Sequence, residues 1–221
     1  MQKEFQLLKP FSKVRCKDVG TLMLTQGEVP ALTIDADEGL FEKLMVEVHG
    51  DSLVLGFDES WINQIEMIFS SMFSKDNRKV AYYLTVPDLR QVSISGKIDL
   101  NCDSFTSDDF KLNVSGLGKL NFGHLECRTL DVTISGRGEF YAAGHADHQS
   151  IRISGSGEYQ APNLASQSGR IVISGQGNAT LRVDDSLEII ISGMGQVNYY
   201  GQPKLRQVIS GMGKSKRLSN C

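Results

Sequence analysis

The chain is poor in most of the features that announce chemistry. Its four cysteines, Cys16, Cys102, Cys127 and Cys221, lie far apart and form no C-x-x-C pair. That excludes the close ligand spacing of zinc and redox sites. They read as buried or incidental thiols, with a Cys102–Cys127 disulfide left open if the protein is exported. The four histidines are His49, His124, His145 and His148. Only "HADH" brings two imidazoles near each other, no third ligand is implied, and a solvated return loop is the expected setting, so no metal and no cofactor are expected. There is no G-x-S-x-G elbow and no Cys/His pairing at a recognisable spacing. Charge of neither sign dominates: 23 Lys and Arg against 26 Asp and Glu leave a net charge of −3, which gives no electrostatic reason to expect nucleic acid or an anionic membrane surface. No stretch approaches the about 18–20 apolar residues of a membrane span. The opening "MQKEFQLLKPFSKVRC" has no apolar core followed by a small-residue cleavage site, so no signal peptide is read.

Proline is scarce at five residues, whereas glycine numbers 22 and proves periodic. Ser-Gly recurs at Ser95, Ser115, Ser135, Ser154, Ser174, Ser192 and Ser210, with spacings of 20, 20, 19, 20, 18 and 18 residues, and from the second copy onward the form is S-G-x-G. A fixed period of this length is the signature of a solenoid. A phosphate-binding glycine loop occurs once, between a strand and a helix, so these glycines are architectural.

The columns of the repeat show which way each side chain points. The residue before each serine is β-branched: Ile94, Val114, Ile134, Ile153, Ile173, Ile191 and Ile209. Three before the serine stand Val92, Leu112, Val132, Ile151, Ile171 and Ile189, broken by Gln207. Beyond the glycines, apolar Leu100, Leu120, Phe140, Tyr159, Ala179 and Val197 alternate with polar neighbours. A period of two means strands with one face buried. Each repeat is therefore two short strands about a glycine corner, which needs either positive φ or close approach to the next coil. Stacked coils place like positions about 4.8 Å apart. The expected fold is all-β, a single-stranded right-handed β-helix with coils of about 18–20 residues. One domain is expected over residues 1–221, with irregular strands at 11–57, a short amphipathic helix at 58–75 and regular coils at 80–218. Within the first part, "LMVEVHGDSLVLGF" reads as a hairpin turning at His49-Gly50-Asp51.

The S-G-x-G columns, with "PDLRQVSISG" and the closing "ISGMG", make the chain similar to the head GIN domain family of autotransporter adhesins over roughly residues 11–218. The resemblance implies a β-helix exported by bacteria, a non-enzymatic binding module of the cell envelope or extracellular space, and no catalytic motif.

Two outward surfaces carry the candidate sites. Lys119, Glu139 and Glu158 stack on successive coils, and one outward position further on stand Asn121, Tyr141 and Gln160. Amides, a hydroxyl and a tyrosine on a flat sheet suit a glycan laid across the coils, or a protein surface. The Glu139–Glu158 pair, about 5 Å apart by stacking, matches the carboxylate separation of retaining glycosidases. That leaves open a carbohydrate-active enzyme, or a charged ladder that keeps the sheet soluble. The second surface is apolar: Val172, Ile190 and Val208 in one column, Met194 and Met212 in the corner column. Such a stripe marks an interface, with a second copy, another protein, or the helix bearing Trp61 and Ile65 as its cover. An oligomeric scaffold protein, a homo-oligomer among the options, is the alternative function it leaves open.

Overall fold

The computed structural model describes residues 1–7, 9–17, 19–57 and 80–219. Strands hold 74% of these residues, helix is almost absent among them, and the strands wind into a β-solenoid of about six turns. The predicted helix over 58–75 lies outside the described residues, as do Trp61, Ile65 and Cys221. The helix that is described, α1 (Glu38–Phe41), is a single turn in a segment read as strands from the sequence.

The regular coils run from β8 (Gln91–Ile94) through β9 (Lys97–Val114), β10 (Leu117–Ile134), β11 (Arg137–Ile153), β12 (Ser156–Ala165), β13 (Ser168–Ile173), β14 (Gln176–Arg182), β15 (Ser186–Ile191), β16 (Met194–Tyr200), β17 (Lys204–Ile209) and β18 (Met212–Arg217). All pair in parallel with the coil before. The register follows the repeat: Leu100, Leu120, Phe140, Tyr159, Ala179 and Val197 align, and all are buried. "HADH" falls inside β11, so the expected return loop is a strand. The return segments of these coils pair as well, because an unpaired backbone running beside the core would strand its polar groups.

The glycine corners settle the choice between positive φ and close approach. None of the S-G-x-G glycines has positive φ; those that do are Gly20, Gly50, Gly144 and Gly201. A Cβ on Gly155 would instead collide with the carbonyl oxygen of Gly136 one coil below, and the same collision repeats up the column. The next glycine lies over the core: a Cβ on Gly157 would sit 2.9 Å from Ile134 Cγ2 and 3.1 Å from Ile153 Cγ2. The serine hydroxyl reaches the coil below rather than its own turn, Ser115 Oγ donating to the Ile94 carbonyl at 3.3 Å.

The core is aliphatic with one aromatic file. Phe105, Phe110, Phe122, Phe140 and Tyr159 succeed one another at centroid distances of 5.1, 5.6, 6.0 and 4.9 Å, each contact adding about 0.5–1.5 kcal/mol beyond burial. The file ends in a polar knot absent from the sequence expectation. Tyr159 donates its buried hydroxyl to Gln149 Oε1 at 2.5 Å, and Gln149 Nε2 donates to the Leu164 carbonyl at 3.2 Å. Cys16, Cys102 and Cys127 are buried, and Cys102 and Cys127 are free thiols. Cys102 pairs in register with Phe122 and Cys127 with Ser107, so no Cys102–Cys127 bridge forms.

The N-terminal portion departs from chain order. β2 (Lys13–Cys16) and β3 (Val19–Gln26) form a coil inserted between the coil of β6 (Ser52–Phe57) and β7 (Ala81–Val86) and that of β8 and β9. Beyond β6 and β7 the strands turn antiparallel. β5 (Leu44–His49) folds back on β6 through Gly50, at φ 61°, as the hairpin predicts. β4 (Ala31–Asp35) pairs with β7, and β1 (Gln2–Phe5) with β4.

Candidate functional site

The two outward polar columns come together on neighbouring coils because the strands of β10, β11 and β12 share one register: Lys119, Glu139 and Glu158 align, as do Asn121, Tyr141 and Gln160. Within each strand the two positions are separated by one buried residue, so their side chains stand on the same face. They are interlocked. Tyr141 donates its hydroxyl to Glu139 Oε2 at 3.1 Å, and Gln160 Nε2 donates to Glu158 Oε1 at 2.7 Å. Lys119 Nζ lies 3.9 Å from Glu139 Oε2 and 4.9 Å from the Tyr141 ring centroid. Partial burial, then the hydrogen bond to Glu139 and the charges of Glu139 and Glu158, raise the Tyr141 phenol above its ordinary value. The phenol therefore stays a neutral donor at physiological pH. Asn121 stands exposed at the edge of this cluster.

Beside the cluster runs a shallow trough of about 480 Å³. Its floor is the backbone of Gly138, Gly157, Gly177 and Gly195, and Glu139, Glu158 and Asn178 form one wall. The opposite wall is Arg137, Ser156, Gln176 and Met194. Sequence reasoning missed this trough, and Arg137, Gln176 and Asn178 on its walls are not among the candidate residues above. The available signal was the second glycine of S-G-x-G, which leaves a file of bare backbone between two columns of side chains.

Other singled-out residues lie elsewhere. His145 Nε2 meets Asp147 Oδ1 at 2.9 Å and His124 Nε2 meets Glu126 Oε1 at 3.0 Å. No group of three metal-ligating side chains occurs among the described residues. Val172, Ile190 and Val208 align across β13, β15 and β17, and Met194 aligns with Met212. The stripe becomes barer toward the last coil: Val172 and Ile190 are half-buried, whereas Val208 is 52% and Met212 78% exposed. No helix among the described residues is long and apolar enough to cross a membrane.

Solved structures share this architecture end to end. A "putative adhesin" from Bacteroides fragilis superposes with a TM-score of 0.87 at 24% identity, covering 99% of this chain and 96% of that one. A "putative lipid binding protein" from Parabacteroides distasonis gives 0.71 at 19% identity, with 99% and 96% covered. A "putative adhesin" from Parabacteroides merdae gives 0.67 at 20% identity, with 99% and 95% covered. At these identities the likeness is one of fold. No curated protein matches the chain. Residues 10–203 match the family described as "Putative auto-transporter adhesin, head GIN domain", and the chain belongs to that family.

Proposed function

We propose that the chain is a non-enzymatic binding module of adhesin type that presents the face of Lys119, Asn121, Glu139, Tyr141, Glu158 and Gln160 to an extended glycan. The observation that carries this reading is the trough with a bare-backbone floor that runs across the coils and takes Glu139 and Glu158 of that face as part of one wall. A sugar chain lying along it would find two carboxylates and an amide on one wall, a guanidinium and an amide on the other, and the Tyr141 ring next to Glu139. Membership of an adhesin family supports binding as the task.

Binding is favoured over hydrolysis by the surroundings of the two carboxylates. A glycosidase acid needs a dry pocket that holds one carboxyl protonated. Glu139 is nearly half exposed, opposes Lys119 and accepts from Tyr141, while Glu158 accepts from Gln160. Both carboxylates are thus engaged by neighbouring side chains on an open face, without the enclosed pocket that acid catalysis requires.

The test is affinity electrophoresis through gels cast with cell-wall and capsular polysaccharides. The triple variant Asn121→Ala, Tyr141→Ala, Gln160→Ala removes three polar contacts at about 1 kcal/mol each. The wild type is retarded by at least one polysaccharide, and the variant loses affinity roughly a hundredfold. Equal retardation of both proteins removes this face from the account.

A further inference from the structure

We infer that the solenoid associates head to tail, the open edge of β17 in one copy pairing with the open edge of β5 in the next. β5 and β17 are the two outer strands of a single sheet face: β5 pairs with β6, β6 with β2, β2 with β8, and the parallel ladder continues to β15 and β17. Among the described residues β5 is in register with β6 alone and β17 with β15 alone. A second copy placed at either end continues the same sheet.

Charge selects this pairing. Residues 203–219, the coil of β17 and β18, hold Lys204, Arg206, Lys214, Lys216 and Arg217 and no acidic residue. Residues 35–51, leading through α1 and β5, hold six acidic residues against Lys43. Lys204, Lys214, Lys216 and Arg217 form no ion pair among the described residues, and neither do Glu38 and Glu42. Arg206 reaches Glu188 at 3.6 Å, Asp51 is held by Lys13 at 2.9 Å, Asp35 by the N-terminal amine at 3.3 Å, and Glu47 by His49 at 2.6 Å. Two basic edges repel each other, and so do two acidic ends, so the tail-to-tail and head-to-head dimers are disfavoured and the head-to-tail contact remains.

Backbone and core agree with the charges. Lys204 N donates to the Asp185 carbonyl at 2.8 Å and Ser210 N to the Ile191 carbonyl at 2.9 Å. The alternation of a parallel ladder then turns the N–H and C=O of Leu205, Gln207 and Ile209 to the open edge. The side chains of Leu205 and Ile209 lie in core columns that are buried one coil earlier, as Leu187 and Ile191, yet they are 39% and 37% exposed. At the other end Leu44, Val46 and Val48 pack half-buried on the core with the same alternation. β5 runs antiparallel to β6, so it meets β17 as an antiparallel pair, as β4 already meets β7. A contact between unlike ends does not close on itself and builds rods.

Sedimentation velocity over rising protein concentrations tests this. At about 0.01 M salt, where screening reaches about 30 Å, the wild type forms concentration-dependent species, and at about 1 M, where it is about 3 Å, these dissociate. Lys204→Glu with Lys216→Glu, and separately Glu38→Lys with Glu42→Lys, each weaken self-association about tenfold or more. Mixing the two restores a heterodimer, because one native interface survives between them. Gln207→Pro keeps every charge and removes an edge N–H that the ladder to β15 does not use, so it folds, as circular dichroism checks, and still fails to associate. A wild type that stays monomeric at low salt overturns the inference, even where the basic edge instead takes up an acidic peptide or phosphatidylglycerol vesicles. So does association indifferent to both charge reversals and to Gln207→Pro. These outcomes leave the glycan face untouched, since none of its residues is altered.

Discussion

Alanine at Gly155 separates two opposite expectations about a glycine. By backbone conformation alone Gly155 has no positive φ, and replacing such a glycine stabilises a protein by about 0.4–1 kcal/mol through the unfolded chain. By packing, the new methyl group would collide with the Gly136 carbonyl, an atom held in the ladder through Ser156 N at 2.9 Å. Backbone cannot rotate away as a side chain can, so the coils must part locally. Overpacking of this kind costs about 1–3 kcal/mol, and loosening the adjacent ladder puts Gly155→Ala at the upper end. For a chain of this size about 2–3 kcal/mol is a fall in Tm of about 4–12 °C. Gly39→Ala is the control: nothing lies within 4 Å of its added Cβ, its φ is not positive, and it sits in α1, so its Tm rises slightly. Scanning calorimetry on the two variants decides. If Gly155→Ala rises alongside Gly39→Ala, close approach is not what the S-G-x-G column is for.

Three further expectations follow from the core and its ends. Tyr159→Phe strands Gln149 Oε1 in the interior and costs about 1–3 kcal/mol, read by urea unfolding; an unchanged midpoint would show the knot to be idle. Burial pushes the Cys102 and Cys127 thiols up to about 12, whereas the unfolded chain ionises from about 9. The unfolded state then binds fewer protons, so this contribution is whole below about pH 9 and declines as pH rises towards 12. Both thiols should resist a disulfide reagent at about pH 8 until denaturant is added, and rapid native labelling would contradict their burial. Deleting residues 1–26 removes Val14, Cys16, Leu22 and Leu24 from between two coils at about 1.5–3 kcal/mol per side chain. Limited proteolysis should then cut within residues 31–57, and full resistance there would refute the inserted coil.

The regular coils were legible because the columns are redundant. Ile134 and Ile153 each predict the other's direction, and the register bears this out to the residue. The inserted coil was not legible. Alternation states which face a side chain occupies but not which strand lies alongside, and Val14 and Cys16 fit beneath Leu53 and Leu55 as well as beneath Val92 and Ile94. Gln207 breaks its column in the sequence, and Ser215 follows Val197 in the next; in the last coil the Ser215 hydroxyl donates to Gln207 Oε1 at 2.6 Å, a polar finish where the core ends. Of the candidate face, the stacking was predictable, since it follows from the period. The Lys119–Tyr141–Glu139 contact depends on rotamers, and the trough on an absence of side chains, which a search for chemical groups passes over.

The most direct measurement is a pull-down of the wild type on insoluble and immobilised polysaccharides, with released reducing ends assayed in the same tubes. Retention on at least one polysaccharide with no release is the expected result. Release that disappears in Glu139→Gln and Glu158→Gln would make the face catalytic, and no retention on any of them would contradict glycan binding outright.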